Sequence, residues 1–336
     1  MPGMRAAVFK GLGRKLCVEV VPDPVPGPDD VVIKVGRCGI CGSDLHMTED
    51  PLFNVKSGAI LGHEFAGEIA AVGRDVKSIR VGDRVAVPPI VGCGHCPKCL
   101  AGEPGACARM ELIGGGYGEY ALSKARQVIP LPQSASLADG ALVEPLAVAL
   151  HGIQRSSLRP GDKVVILGAG PIGVATAFWA RRMGAARVVV TDVNRHQAER
   201  AMTLGATHFV SGDEDHVAQV DRILGEKADL VFECVGVPGM IAQAVEHIRL
   251  QGEILVQGLC TRPDSFIPFK AVSKECRIQF SNFFKIQEYQ AALDMLATGT
   301  IEPRSMITDT ISLDQLPDTF EALRRRTHQC KVQVAF

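Results

Sequence analysis

Residues 163–173 read KVVILGAGPIG, and their reading decides the fold. A short apolar run, VVIL, enters Gly168-Ala169-Gly170-Pro171-Ile172-Gly173 without a break, and an apolar segment of helical character, PIGVATAFWARRMG, leaves it. This is G-x-G-x-x-G between a strand and a helix. Gly168 permits the tight turn, Gly170 lets the backbone approach a pyrophosphate, and Gly173 lets helix pack closely on strand. Pro171 opens the helix at a position where no amide is needed, and the helix start, with Ile172 in its first turn, offers unpaired N–H groups to an anion. Asp192 ends the next apolar run nineteen residues beyond Gly173. A carboxylate there accepts ribose hydroxyls and repels a 2′-phosphate, so the expected cofactor is NAD rather than NADP. Arg195 stands nearby and is expected beside the adenine or in solvent. A glycine-bearing strand–helix turn that binds nothing is the bland alternative.

The alternation continues outward. ARVVVTD, THFVSG, ADLVFECVG and GEILVQG read as strands; NRHQAERAMTLG, DHVAQVDRILG and GMIAQAVEHIRL read as helices. Apolar strands alternating with amphipathic helices imply a parallel sheet covered on both faces, an α/β doubly wound arrangement, over 161–258. Residues 1 to about 147 read differently. AAVFK, LCVEVV, DVVIKVG, GEIAAVG and VKSIRVGDRVAV are strand-like runs between turn residues, so this part is expected to be mainly β with irregular loops. Helices are expected near 286–298 and 314–325, and KVQVAF closes the chain as a strand.

At 336 residues, two domains are expected. Hydrophobic residues make up 46% and charged residues 22%, with a formal net charge of −1. No global field draws in nucleic acid or an anionic membrane, and Arg324-Arg325-Arg326 reads as solvated helix surface. No apolar stretch approaches membrane-spanning length. The opening residues MPGMRAAVFKGLGRK show neither a long apolar run nor a cleavage motif, so a cytoplasmic protein is expected. Eleven cysteines, an odd number, argue against a disulfide framework in that setting.

Four of those cysteines lie in CGHCPKCLAGEPGAC, residues 93–107, as C-x2-C-x2-C-x7-C. Four thiolates from Cys93, Cys96, Cys99 and Cys107 fill a tetrahedral zinc shell and leave no position for a water, so the role is structural. An iron–sulfur cluster uses similar spacing. Zinc is preferred because the rest of the chain reads as a nicotinamide enzyme. His95 is surplus to such a shell. A second cluster is dispersed: CGICGSDLH at 38–46, GHE with His63 and Glu64, and LVEPLAVALHG with Glu144. Cys41, His63 and either Glu64 or Glu144 give a mixed sulfur, nitrogen and oxygen set that suits zinc with an exchangeable position.

Across its whole length the chain resembles the zinc-dependent medium-chain alcohol dehydrogenases, most of all the sorbitol, threonine and butanediol dehydrogenase branch. The resemblance rests on CGICGSDLH, GHEFAGEIAAVG, VGDRVAV, the four-cysteine lobe, VEPLAVALHG and GAGPIG, in that order. It implies a GroES-like catalytic domain from 1–147 and 284–336 around a Rossmann domain at 148–283. It implies two zinc ions per subunit, one catalytic and one structural. Cys41, His63 and Glu64 match catalytic zinc ligands, and Glu144 matches the carboxylate that this branch has where other members have a cysteine; members differ over which glutamate binds directly. Ser43 matches the hydroxyl that contacts the substrate oxygen, and His46 the end of a proton relay through the cofactor ribose. Asp44 resembles the carboxylate behind the zinc-bound histidine, and Cys38 matches no ligand and reads as packing. The implied reaction takes a hydride from a secondary alcohol to NAD, giving a ketone, with zinc acidifying the alcohol. The implied assembly is a homo-oligomer, a tetramer ahead of a dimer, with a small-molecule substrate and neither nucleic acid nor membrane as partner.

Substrate class is where the pattern departs. The arginine that holds polyol hydroxyls in sorbitol dehydrogenases falls here on Phe283, and a phenyl ring donates no hydrogen bond. Phe53 and Met47 add apolar candidates for the pocket. The expectation is therefore an apolar or cyclic secondary alcohol or a small diol, with a polyol or L-threonine as alternatives. A relative without catalytic zinc, or a non-enzymatic zinc- and nucleotide-binding scaffold, is the reading of another class; it predicts one zinc per subunit rather than two.

Overall fold

The valine-rich run Asp30–Gly39 pairs antiparallel with both Glu64–Val72 and Tyr120–Lys124. A computed structural model describes residues 3–212 and 215–336. The chain forms two compact units, residues 1–144 with 284–336, and residues 145–283. In the first unit a seven-stranded sheet runs in the order Ile307–Ser312, Lys331–Ala335, Asp30–Gly39, Glu64–Val72, Arg84–Val87, Ile129–Pro130, with Tyr120–Lys124 also paired to Asp30–Gly39. Only the pairing of Ile307–Ser312 with Lys331–Ala335 is parallel. Val31, Ile33, Phe65, Ile69, Tyr117 and Phe320 belong to its buried core. Gln333, Val334 and Ala335 lie opposite Gly39, Cys38 and Arg37, which carries the C-terminal strand to the segment just before CGSDLH.

The second unit is a parallel six-stranded sheet in the order His208–Ser211, Arg187–Asp192, Lys163–Leu167, Ala228–Glu233, Ile248–Val256, Arg277–Phe280. Strand order reverses at Lys163–Leu167, the strand that feeds the glycine turn. The crevice at such a reversal is where doubly wound sheets take a dinucleotide.

Four expectations need correction. Residues 42–49 form a helix rather than a loop, because Asp44 accepts the Cys41 amide and closes the first turn. Leu137–Arg155 is a 19-residue helix that carries Pro145 in its interior, in a stretch expected to be mainly β up to 147. Glu144 is therefore a mid-helix residue. Helix Met240–His247 stops before the IRL that was assigned to it; Ile248–Val256 is strand, and Lys274 donates to the carbonyls of Val245 (2.5 Å) and Ile248 (2.9 Å) at the junction. Arg324 is not solvated surface. It donates to the Leu45 carbonyl (3.1 Å) and Thr48 Oγ1 (2.9 Å) and pairs with Glu49 (2.9 Å), bracing helix Gly42–Glu49.

Candidate active site

Helix Gly42–Glu49 and strand Glu64–Val72 deliver the polar groups of the first unit. Cys41 sits at the helix cap, His63 just before the strand and Glu64 at its first position. One ligand atom from each of the three lies within 4.8 Å of the others. His63 and Glu64 are buried and Cys41 half-buried. Asp44 Oδ1 stands 3.1 Å from His63 Nδ1, while Asp44 Oδ2 accepts the Tyr117 hydroxyl at 2.6 Å and the Cys41 amide at 3.3 Å. An ionised Asp44 is acceptor-only, so His63 donates to it through Nδ1, which leaves Nε2 as the ring nitrogen that would face a cation. Burial alone would depress the His63 pKa; the charges of Asp44 and Cys41 override it and hold the ring well above its ordinary value. Burial likewise works against the Asp44 anion, and His63 and the Tyr117 hydroxyl bring its pKa down.

Glu64 is held from the opposite side. Lys331 Nζ lies 2.7 Å from Glu64 Oε1 and also donates to the Ile40 carbonyl at 3.2 Å, with both charged side chains at most 2% exposed. Glu64 Oε2 is buried and has no hydrogen-bond partner. A buried carboxylate oxygen without a partner beside a thiol and an imidazole lone pair is the donor set of a zinc site, and it fits the metal. Glu144 is buried close by but is not among the three atoms that converge. Burial pushes its pKa up to about 7, eased by His63 and reinforced by Glu64. Tyr289 adds a buried hydroxyl that also lacks a partner; burial and then the charges of Glu144 and Glu64 raise its pKa. Ser43 Oγ donates to Cys41 Sγ at 3.2 Å, and His46 lies half-buried on the same helix. Cys38 is fully buried in the core, its thiol 3.5 Å from the Gly39 carbonyl.

The four-cysteine lobe forms a second set. All eleven cysteines are free thiols, and the sulfurs of Cys93, Cys96, Cys99 and Cys107 lie within 4.8 Å of one another. The Cys96–Cys99 and Cys93–Cys99 sulfurs are 3.5 and 3.9 Å apart. A tetrahedron with Zn–S of about 2.3 Å has edges of about 3.8 Å, so the lobe has the spacing of a filled zinc shell. Backbone amides point at the sulfurs, Cys96 N to Cys93 and Arg109 N to Cys107 among them. Amides from His95 first and Cys96 next bring the Cys93 pKa down to about 5. His95 turns away, toward the Cys93 carbonyl and Arg109.

In the second unit the glycine turn has the backbone its residues demand. Gly168 has φ of +97°, which only glycine adopts without strain. Helix Pro171–Arg182 starts at once, and the Asp192 carboxylate accepts the Ala169 amide and the Asn194 amide, each at 2.7 Å. That fixes a negative charge against the turn. Arg195 Nε donates to Ser211 Oγ at 3.2 Å.

Two family models match: the alcohol dehydrogenase GroES-like domain over residues 27–133 and the zinc-binding dehydrogenase domain over 171–298. A sorbitol dehydrogenase of Bacillus subtilis (strain 168) is 34% identical, covering 98% of this chain and 97% of its own. The chain belongs to the zinc-dependent medium-chain alcohol dehydrogenase family. Solved relatives agree with the fold of this dehydrogenase. A 2R,3R-butanediol dehydrogenase from Bacillus subtilis superposes with a TM-score of 0.88 at 31% identity over 99% of both chains. A protein described as a zinc-binding dehydrogenase from Sinorhizobium meliloti 1021, bound to NADP, gives 0.90 at 32% over 100% of both. The dehydrogenase is thus an oxidoreductase that moves a hydride between an alcohol and a nicotinamide cofactor.

Sequence reasoning missed Tyr117, Tyr289 and Lys331. The only signal was a lysine heading an apolar strand in KVQVAF and an aromatic set among glycines in GGGYG. Of the substrate-side candidates, Met47 packs on the core of the dehydrogenase, Phe53 is half-buried in a short 3-10 turn, and Phe283 is half-buried with φ of +60°. His151 lies half-buried on helix Leu137–Arg155. Among the described residues no helix is long and apolar enough to cross a membrane.

Proposed function

We propose that this dehydrogenase oxidises a secondary alcohol carrying a vicinal hydroxyl, a short diol or polyol, to its ketone with NAD, using zinc held by Cys41, His63 and Glu64 and a second zinc held by the four-cysteine lobe. The observation that carries the reading is the convergence of one thiol, one imidazole and one carboxylate within 4.8 Å, with Glu64 Oε2 buried and unpartnered. When bound, zinc lends Lewis acidity to an alcohol oxygen and NAD accepts the hydride. The chain does the rest. Asp44 holds His63 by its Nδ1 proton, Lys331 holds one oxygen of Glu64, and burial keeps bulk water from both. Ser43 Oγ, beside Cys41, takes the alcohol proton and hands it on toward His46. Glu144, with its pKa near 7, stands as a reserve carboxylate that is easily neutralised.

The names of the sorbitol and butanediol relatives support the diol and polyol side of the substrate expectation over the apolar cyclic side. The fixed Asp192 charge supports NAD. Tetrameric assembly in the cytoplasm follows from the family resemblance and is part of the same proposal; sedimentation of the purified protein tests the assembly.

The test follows reduced nicotinamide at 340 nm with NAD and with NADP against 2,3-butanediol stereoisomers, sorbitol, xylitol, a cyclic secondary alcohol and L-threonine, with total zinc measured in parallel. Turnover with a diol or polyol, faster with NAD, at two zinc ions per chain, is expected. One zinc per chain without turnover would overturn the catalytic-zinc reading. Turnover on the cyclic alcohol alone would overturn the substrate class, and a preference for NADP would overturn the role of Asp192.

A further inference from the structure

Asp44 is 1% exposed and has three donors around it. Two come from its own neighbourhood, the Cys41 amide and the His63 ring; the third comes from Tyr117, 73 residues along the chain. The Tyr117 bond is the shortest, 2.6 Å against 3.3 Å for the Cys41 amide on the same oxygen. Tyr117 is itself 0% exposed. Its ring is wedged where Gly62, with φ of +83°, leaves no side chain: a Cβ on Gly62 would stand 2.5 Å from the ring. Phe320 packs edge-on against it at 6.3 Å. The backbone is strapped to the same place, since Tyr117 N donates to Leu61 O (3.0 Å) and Gly116 N to Gly62 O (2.9 Å). The residue braced in this way is the one immediately before His63. A phenylalanine would fill this volume equally well, so packing does not explain the hydroxyl.

We propose that Tyr117 is a positioning residue of the catalytic metal centre: its hydroxyl fixes the rotation of Asp44, and Asp44 in turn fixes the tautomer and the plane of His63. This rests on the reading of Cys41, His63 and Glu64 as zinc ligands. Without the hydroxyl, Asp44 Oδ2 keeps only the long Cys41 bond. The carboxylate is then free to turn, and His63 loses the orientation that aims Nε2. Partners that stand behind a ligating histidine typically contribute about 10- to 100-fold in metal affinity.

The test uses the full-length protein with Tyr117→Phe, which removes one oxygen and keeps the ring. Zinc release to a chromogenic chelator is followed in time, and the Cys41→Ala variant identifies which phase belongs to the catalytic site. Cobalt replaces zinc in a second series, and its visible bands report ligand geometry at each site. Tyr117→Phe is expected to lose catalytic-site zinc about 10- to 100-fold faster and to shift the cobalt bands of that site, while the tetrathiolate bands of the lobe stay put. The Asp44→Asn background should abolish the effect of Tyr117→Phe, because the tyrosine acts through Asp44. Two metals per chain with identical release and identical spectra in wild type and Tyr117→Phe would overturn the proposal alone. An undiminished effect in the Asp44→Asn background would also overturn it, by assigning the tyrosine a purely structural role. One metal per chain in the wild type, with only tetrathiolate bands, would overturn the zinc-site reading and this proposal together.

Discussion

Replacing Lys331 by methionine should unfold the first unit more readily than any surface change, and the size of the effect follows from the site. The ammonium lies 2.7 Å from Glu64 Oε1, with the two side chains 2% and 1% exposed. At that distance and an effective dielectric of about 20, the attraction is about 6 kcal/mol. Removing the lysine also removes the cost of burying its charge, which returns part of that sum. What remains is a buried carboxylate with no cation, and breaking a buried pair from one side costs about 3–5 kcal/mol. Methionine has a similar length and apolar stem, so cavity formation adds little. Against a total stability of about 5–15 kcal/mol, this loss is large. The assay is denaturant unfolding of the metal-free protein for wild type, Lys331→Met, Glu64→Gln and the double variant. The double variant should lose less than the sum of the singles by at least about 2 kcal/mol, because both partners leave together. A Lys331→Met loss below about 1 kcal/mol, or strict additivity, would refute the reasoning. The pH dependence has a fixed sign. Burial works to lower the Lys331 pKa, the Glu64 charge outweighs it, and the folded value stands above 10.5. The stabilisation is therefore fully present below the unfolded pKa of about 10.5 and fades as pH rises through the higher folded value.

Three further predictions follow from the same geometry. A Cβ at Gly39 would collide with Glu64 Oε2, so Gly39→Ala should displace the carboxylate and cost the zinc proposed for the Cys41 site, read by elemental analysis, with about 1–3 kcal/mol of stability. Cys99→Ser removes one corner of the thiol tetrahedron; it should lose the zinc proposed for the lobe while the cobalt bands of the Cys41 site persist, and metal content unchanged from wild type would rule the lobe out as a zinc site. His247 is completely buried, neither ring nitrogen has a partner, and burial, then His216, bring its pKa down to about 4. The neutral ring is what the fold accepts, so stability should be highest above the unfolded pKa near 6.5 and fall by about 3 kcal/mol as pH drops toward 4. His247→Leu should flatten that slope between pH 7 and pH 5 in denaturant titrations, and an unchanged slope would exclude His247 as its source.

The Rossmann half of the fold was legible because its signals are local. KVVILGAGPIG needs nothing beyond its own eleven residues to imply strand, turn and helix, whereas the reversal of strand order at Lys163–Leu167 is set by packing among the later βα units and is read only from the structure. The candidate ligand residues stood out for a different reason: Cys, His and Glu in GHE and CGSDLH advertise their chemistry one residue at a time, and the structure brings Cys41, His63 and Glu64 together. What periodicity misreads is the backbone around them. Helix Gly42–Glu49 is short and has no apolar face to reveal it, and the interior Pro145 hides the 19-residue helix Leu137–Arg155 in a stretch that reads as mainly β.

Lys331 and Tyr117 were illegible in principle rather than by oversight. Glu64 and Lys331 are 267 residues apart, and Asp44 and Tyr117 are 73 apart. Each pair joins segments distant in sequence: Glu64 and Lys331 sit on strands that flank Asp30–Gly39 on either side, and Tyr117 sits in the turn before strand Tyr120–Lys124, which pairs with that same strand. Lys331 opens the strand whose residues 333–335 face residues 39–37, and the chain then runs from Gly39 into the cap of helix Gly42–Glu49. In KVQVAF a lysine at the strand start reads as an exposed end; only the register shows that it faces a buried carboxylate. The same pairing explains why the catalytic constellation needs both ends of the chain. The proposed ligands Cys41, His63 and Glu64 come from the first half of the first unit, but the charge that makes burial of Glu64 tolerable comes from strand Lys331–Ala335. A truncation that removed Lys331–Ala335 would leave every proposed zinc ligand in place and still strip the site of its compensating cation, so zinc retention by such a truncated chain would contradict the electrostatic role assigned to Lys331.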